Sequence, residues 1–325
     1  MANVQGFVQD VMLQRYARLL GPSLGSFIAD DIFPAVDVPT KTGQFYDVDG
    51  GFASAHSTAS PYLGHNMVIA DGQDSPLRIS TSISKVTGWD VNSNGLGVQI
   101  SKTSEAYARG NGLDLRQANV AVLARECAIN RERNAAGLAF DATTTFSGKT
   151  TALSGSDQWD NAASDPISIA QDARDTIIQA SGEAPNVAIM GYEVYKALRQ
   201  NSLILEFCSR TSSRVGILTN DDLARALDVE TIFVGKAVAN NVVEGVTASN
   251  GYIWGKFVLF AHIKKSPAPM TPGSCLQRWR LQGSSDGSVR RWDPTPYVEQ
   301  VDMTWNDQFA APTTELGYLY STVVS

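Results

Sequence analysis

The stretch Ala184–Asn201, APNVAIMGYEVYKALRQN, reads as a buried strand, a tight glycine corner and an amphipathic helix. In α/β enzymes the carboxyl end of such a strand gathers ligands, because backbone N–H donors and the dipole of the following helix converge there. Met190, Gly191 and Tyr192 hold that place, and none of them brings reactive chemistry. The unit therefore points to packing rather than turnover.

Working outward, Asp165 caps and Pro166 opens a helix running to about Ala180, with Ala170, Ala173, Ile177 and Ala180 as its inward stripe and Gly182 as its stop. Downstream, TNDDLARALDV starts on a Thr219/Asn220 cap with two acids in its first turn and leads into the strand ETIFVG. Residues Pro166 to Gly235 thus form a small α/β module. Before it, Asp114–Asp141 lacks proline and has one interior glycine, Gly137, which predicts a single long helix. Ala118, Ala121, Ala124 and Ala128 would let neighbouring backbones approach it, while Arg125, Glu126, Arg131, Glu132 and Arg133 face solvent.

Nearer the N-terminus, Val4–Leu20 fits an amphipathic helix stopped by Gly21 and Pro22. The next segment, FIADDIFPAVDVPTKTGQFYDVD, is broken by Pro34 and Pro39 and reads as an extended arm rather than a core element. Gly50 to Arg78 has little periodicity and gives way to the alternating text LRISTSISKVTGWDV and GVQISKTSEAY, a long β-excursion that leaves the body and returns. After the module, GYIWGKFVLFAHIKK, SVRRWDP, YVEQVDMTW and LGYLYSTVV read as strands.

The 325 residues, 43% hydrophobic and 18% charged, suffice for a sizeable core, and a net charge of -7 argues against an extended nucleic-acid surface. Cys127, Cys208 and Cys275 are odd in number and far apart, so they give no disulfide framework. The start MANVQGFVQDVML lacks a basic region and carries Asp10, which excludes a signal peptide, and the apolar window Tyr252–Ile263 is too short to span a bilayer.

Chemical motifs fail on inspection. GPSLG places Ser23 after a helical stretch rather than on a strand-to-helix elbow. SGKTT has Thr143 where a phosphate loop needs glycine, leaving Lys149 a solvated loop residue. His56 and His65, with Asp71 and Asp74 nearby, lack metal-ligand spacing and fit contacts with a neighbouring chain, and His262 fits a hydrogen-bonded, half-buried residue. Asp221 and Asp222 are explained by capping, and Arg290, Arg291 and Trp292 fit a grip on an acidic neighbour or a phosphate, an intersubunit salt bridge being the favoured reading. No cofactor or metal is expected.

The order of these parts resembles the major capsid proteins of tailed bacteriophages with the Hong Kong 97-like coat fold, in particular the lambda coat-protein-like branch. The stretches that carry it are FIADDIFPAVDVPTKTGQFY, DPISIAQDARDTIIQASGEAPNVAIMGYEVYKALRQN, LTNDDLARALDVETIFVGKAVAN and DQFAAPTTELGYLYSTVV. The resemblance implies an α+β fold in five parts: an N-terminal arm (1–49), an extended β-loop (50–107), a peripheral domain with the spine helix (108–165), an axial domain (166–264) and returning β segments of the peripheral domain (265–325). It implies a structural, non-enzymatic protein that self-assembles into hexamers and pentamers of an icosahedral head, in the virion after assembly in the host cytoplasm. Packaged double-stranded DNA is a weak, non-specific partner, and separate scaffold, portal and cement proteins are further ones. No membrane is involved.

On the same resemblance the expected contacts between subunits are Phe33 and Tyr46 in the arm, and His56, His65 and Asp71 in the β-loop. Arg125, Arg131 and Arg133 stand on the spine, Arg210 and Arg214 near the axis in CSRTSSRVGILT, and Arg290, Arg291 and Trp292 in SVRRWDP. The lysine–asparagine crosslink of some relatives is disfavoured, because no lysine lies between Lys41 and Lys85, and Met1 favours a separate scaffold over a cleaved one. The rivals are an encapsulin-like shell enclosing enzyme cargo, and a small-molecule α/β enzyme built on Met190–Gly235.

Overall fold

The computed structural model describes residues 8–9, 27–49, 82–211, 218–240, 249–266, 273–283 and 288–325, with backbone alone described at 8–9, 44–49, 82–87 and 209–211. Two sheets share one long helix. The first sheet runs β6 (Thr150–Ala152), β15 (Gly317–Ser321), β11 (Val258–Ala261), β7 (Val187–Gly191) and β8 (Thr231–Gly235). β7 and β8 are parallel, as are β15 and β6, while β11 runs antiparallel to both of its neighbours. The sheet is wider than the sequence span of the α/β module, for it takes strands from 150–152 and 317–321.

All five residues of β7 are buried, which is why the strand reads as continuous apolar text. Ala188 and Met190 face a core made with α4 (Pro166–Ser181), α5 (Tyr192–Gln200), α6 (Ser202–Thr211) and α7 (Asn220–Ala226). Val187 and Ile189 face the opposite core. The helix signals hold locally. Asp165 accepts from Ile167 and Ser168 N–H at 3.1 Å, Gly182 closes α4 at φ 76°, and Thr219 with Asp222 forms a capping box on α7.

The second sheet has the order β1 (Val8–Gln9), β13 (Ser288–Thr295), β14 (Val298–Ala310), β12 (Gln277–Leu281) and β2 (Ala35–Val38), with β5 (Ser93–Ser101) also pairing β14. β3 (Thr42–Asp49) and β4 (Ser82–Asp90) form a separate ribbon that opens the β-excursion. Its root is fixed where Trp89 meets Trp279 at 6.3 Å and Gln308 accepts from the Asp90 N–H at 2.8 Å. The short helix α2 (Lys102–Gly110) then leads to the spine, α3 (Leu115–Ala139), capped by Asp114 on the N–H groups of Arg116 and Gln117.

The spine serves both sheets. Val120, Leu123 and Ala124 pack on Ile100, Val289 and Val301 of the second sheet, and Ala135, Ala136 and Ala139 pack on the Val187/Ile189 face of the first. Its buried stripe differs from the expected one, since Ala118 is exposed and the stripe follows the two sheets in turn.

Two expectations are corrected. The segment from Ile28 to Val38 is not an arm outside the core: Ile28, Ala29, Ile32, Phe33, Val36 and Val38 are buried. A four-residue helix, α1 (Ala29–Ile32), seats the first four on the spine, and β2 runs parallel to β12, so Pro34 separates two core elements rather than loosening a strap. Val8–Gln9 pairs as strand with Arg290 and Arg291 rather than forming helix, and the rest of that expected helix lies outside the described residues.

Replacing Asp165 with Ala leaves two first-turn N–H groups of α4 without their acceptor, so a loss of about 1 kcal/mol in urea unfolding of the unassembled chain is expected.

Candidate functional site

The carboxyl ends of β7 and β8 are where an α/β enzyme would hold its ligand. Each of these strands ends in glycine, Gly191 and Gly235, which stand opposite one another in the parallel register. The turn between β10 (Asn250–Tyr252) and β11 lies across both. A Cβ on Gly191 would sit 1.8 Å from the carbonyl oxygen of Gly255, and one on Gly235 would sit 2.1 Å from the Trp254 ring. Both glycines have negative or unremarkable φ, so close approach, not backbone conformation, demands them. Gly191 N–H donates to Phe257 O at 3.3 Å, and Tyr192 meets Tyr252 at 5.2 Å between ring centroids. The crevice is plugged by the protein itself.

The plug is also a tether. Trp254 is fully buried, and its indole N–H donates to Glu132 Oε2 of the spine at 2.6 Å. The other oxygen of that carboxylate accepts the Ala29 N–H at 2.7 Å, an orphan donor at the start of α1 that no side chain of Ile28 caps. One carboxylate thus joins the 28–38 segment, hereafter the strap, to the spine and to the turn that leads into the first sheet. Burial pushes its carboxyl above the usual glutamate range, the N–H donors of Ala29, Trp254 and Ile28 pull the other way, and the nearby Asp30 charge adds to the rise. Phe140, at the C-terminal end of the spine, closes on Trp254 edge-to-face at 5.3 Å.

Beside this clamp, Arg131 Nη2 reaches Asp30 Oδ1 and Asp307 Oδ2, both at 2.8 Å, and Arg278 Nη1 reaches Asp30 Oδ1 at 2.7 Å. Strap, spine, β12 and β14 are joined in one network. A second network sits at the other end of the spine, where Arg116 Nη2 contacts Glu299 Oε2 at 2.6 Å and Glu105 Oε1 at 2.8 Å. The Glu299 hydrogen bond is the main reason that the Arg116 guanidinium is held above its ordinary pKa. Glu132 and Arg131, expected on the wet face, are instead buried and half-buried; the wet side of the spine is carried by Arg125, Glu126 and Arg133.

A cleft of about 610 Å³ lies beside α5, lined by Trp159, Asp160, Tyr192, Lys196, Tyr252 and Lys256. Its displaced carboxylate, Asp160, is held below the usual range by the hydroxyl of Ser325, the reverse of what a proton donor requires. His262 Nδ1 lies 2.8 Å from Ala184 O, half-buried as expected. Lys149 is half-buried and paired with Glu315 rather than solvated. Burial pushes the Cys127 thiol to about 11 and the Cys275 thiol to about 12, so neither is a thiolate nucleophile near neutrality. Among the described residues there is no group of three His, Cys, Asp or Glu side chains that could hold a metal, and no helix is long and apolar enough to cross a membrane.

The expected contact residues scatter. Phe33 is corrected: it is 0% exposed, set edge-on against Phe309 at 4.9 Å, and has no surface to offer. Arg131 is committed within the chain as described, Arg291 Nε lies 3.7 Å from Glu299, and the Trp292 indole donates to Asp302 at 2.8 Å. Arg125, Arg133 and Arg290 are exposed. Tyr46 pairs with Lys85 in the β3–β4 ladder and Arg210 lies in α6, both with backbone alone described; His56, His65, Asp71 and Arg214 lie outside the described residues. Glu132, Trp254, Gly191 and Gly235 were not anticipated as a unit, although two strands ending in glycine and an isolated Trp-Gly pair are its sequence trace.

No protein-family model matches the chain. It is 29% identical over 149 residues to the major capsid protein of Burkholderia phage BcepMu, covering 46% of this chain and 47% of that protein. It is 25% identical over 247 residues to the major capsid protein of Pseudomonas phage JBD67, covering 73% of this chain and 72% of that one. The match thus spans about half the length of the first relative and more of the second. Among solved structures, a phage-related protein from Bordetella bronchiseptica RB50 superposes with a TM-score of 0.71 at 21% identity, covering 98% of this chain and 99% of that one. The capsid of cyanophage P-SCSP1u gives 0.55 at 12% identity, covering 91% and 88%. The chain has the Hong Kong 97-like fold of phage capsids, an α+β fold.

Replacing Glu132 with Ala leaves two buried donors without acceptors, and a loss of about 2–5 kcal/mol in denaturant unfolding is expected. The raised Glu132 pKa gives the pH dependence. Its contribution to stability is fully present below the ordinary glutamate value and is lost as pH rises through the higher folded value. The stability difference between the parent and Glu132→Gln should therefore grow as pH falls from about 7 to about 5, measured by urea midpoints across that range. Gly191→Ala forces a methyl into the Gly255 carbonyl, and a loss of at least about 2 kcal/mol is expected in the same assay.

Proposed function

We propose that this chain is a major capsid protein, a coat subunit that assembles into hexamers and pentamers of an icosahedral phage head around double-stranded DNA. The observation that carries the reading is similarity to two phage major capsid proteins together with a likeness of fold over nearly the whole chain. The geometry suits it. Where a related architecture would leave a crevice for a ligand, this chain inserts Trp254 and ties it to the spine by a buried hydrogen bond. Such a subunit works through shape: one rigid unit repeats near-equivalent contacts, and closed symmetry limits growth.

In this reading 166–264 is the axial domain, 108–165 with 265–325 the peripheral domain, and 50–107 the limb laid over a neighbour. The arm, 1–49, is in part a core element of its own subunit, because the buried side chains of Ile28, Ala29, Ile32, Phe33, Val36 and Val38 anchor that stretch there. The net charge of -7 limits adhesion of the shell to packaged DNA. Scaffold, portal and cement proteins are the further partners, and the virion, assembled in the host cytoplasm, is the location.

Electron microscopy and sedimentation of the purified chain, alone and co-expressed with its neighbouring phage genes, are expected to show capsomer rings or shells, and native particles should contain nuclease-protected DNA. A small oligomer under every condition would contradict the coat reading, and shells filled with a protein cargo instead of DNA would move it to an encapsulin-like compartment.

A further inference from the structure

The strand that returns from the β-excursion, β5, is a sheet edge without the usual protection. It pairs β14 residue for residue over its nine residues with no shift of register, and among the described residues no strand pairs its other side. Its sequence, SNGLGVQIS, holds no charge and no proline. An open edge is a template for a further strand, and folded proteins blunt it with charge, proline, a bulge or shortness. The other described edge strands follow that rule. β1, β2, β6, β8, β10 and its partner β9 (Val238–Asn240) have five residues or fewer, and the longer edges carry charge, Asp47 on β3, Lys85 on β4 and Arg290 on β13. Among the described edges only β5 is long, unbulged and neutral.

Its two faces define the strand that would cover it. Alternate residues point the same way, so Leu96, Val98 and Ile100 share the face turned to the spine, where Ile100 is buried against Val301 and Val98 packs beside it. Leu96, in the same row, is 43% exposed. On the opposite face Gln99 leans back to donate to Gln300 at 3.3 Å, and Asp302 lies over Gly97, where a Cβ would meet its Oδ1 at 2.2 Å. No bulky side chain on that face bars the approach of a second backbone. An antiparallel strand centred on Val98 needs an apolar residue opposite each of Leu96, Val98 and Ile100, and a neutral one opposite Gly97 beside the Asp302 carboxylate. β5 read backwards supplies that series: Ile100, Val98 and Leu96 on one face, Gln99 opposite Gly97 on the other.

We propose that β5 is an interface at which the strands of two copies pair antiparallel about a two-fold axis through Val98, joining two sheets into one. The occupant is a second copy because the required series is this strand's own sequence reversed. A neutral edge also meets its own copy without the like-charge opposition that penalises a charged strand. Leu96 is covered by Ile100 of the second copy, and the symmetry repeats the same contact on the other side of the axis. The inference stands on the edge itself and does not depend on the coat reading; in a shell the same pairing would join subunits across two-fold axes.

Two added-cysteine variants test it under mild oxidation, in the purified full chain and in any particles it forms, with the three native cysteines buried. Val98→Cys faces its own copy at about 4.5–5.5 Å between Cα atoms, within disulfide reach. Gln99→Cys lies diagonal to its copy at about 7–8 Å, outside that reach. Disulfide-linked dimers at 98, and at least about tenfold fewer at 99, are expected. No linked dimer at 98, or equal yields at the two positions, would overturn the pairing. Leu96→Lys added to Val98→Cys should cut the yield about fivefold or more, because charge on an edge opposes strand addition; an unchanged yield in a variant folded by circular dichroism would sink the proposal. A photo-crosslinking phenylalanine analogue at exposed position 96, in mixed heavy- and light-isotope copies, keeps the test independent of the thiols. Links between copies to 96–102 are expected, whereas links only to other parts of a second copy, or to a scaffold or cement protein, would assign the edge to another occupant and overturn it. Shells without the 98 crosslink would remove this contact and leave the coat reading standing, and the crosslink without rings or shells would do the reverse.

Discussion

The rest of the structure depends on one buried carboxylate. Glu132 carries no water-exposed surface of consequence, yet it accepts at once from Trp254, in the turn that leads into the first sheet, and from Ala29 at the start of α1. A buried carboxylate without such donors would be costly, and donors left without it would be orphaned in a core of alanine and aromatic side chains. The pairing is therefore mutual: strap, spine and sheet each supply a group that only the others satisfy. Arg131, one residue earlier on the spine, extends the same logic outward to Asp30, Asp307 and Arg278.

This constraint explains the two glycines that end β7 and β8. For Trp254 to reach Glu132, its turn must lie directly on the strand tips, and only a residue without Cβ fits beneath it. The space that other α/β proteins reserve for a ligand becomes the joint between two parts of one subunit. Rigidity at that joint suits the proposed coat role, because an icosahedral shell repeats one set of contacts many times and angular slack would accumulate.

Much of the secondary structure was legible because its signals are local. Asp165, Pro166 and Gly182 delimit α4 by capping chemistry, Asp114 starts the spine, and Thr219 with Asp222 opens α7. The buried strand of β7 announced itself by an unbroken apolar run. What was not legible is long-range. Glu132 looks like any other charged residue in RERN until Trp254, 122 residues away, is brought to it. Pro34 and Pro39 carry the punctuation of a loose arm, whereas Ile28, Ile32 and Phe33 are apolar for a reason only the folded spine supplies. The widening of the first sheet by β15 and β6 likewise depends on pairing between residues far apart in sequence.

Hydrogen–deuterium exchange of the unassembled chain, followed by mass spectrometry, tests most directly whether this clamp welds the subunit into one body. The account predicts that peptides covering 28–38 and 253–257 are protected to the same degree as β7 and the C-terminal half of the spine, and that all lose protection together in denaturant. Exchange of 28–38 within seconds while β7 and the spine stay protected would show that strap and sheet are not held by Glu132, and would contradict it.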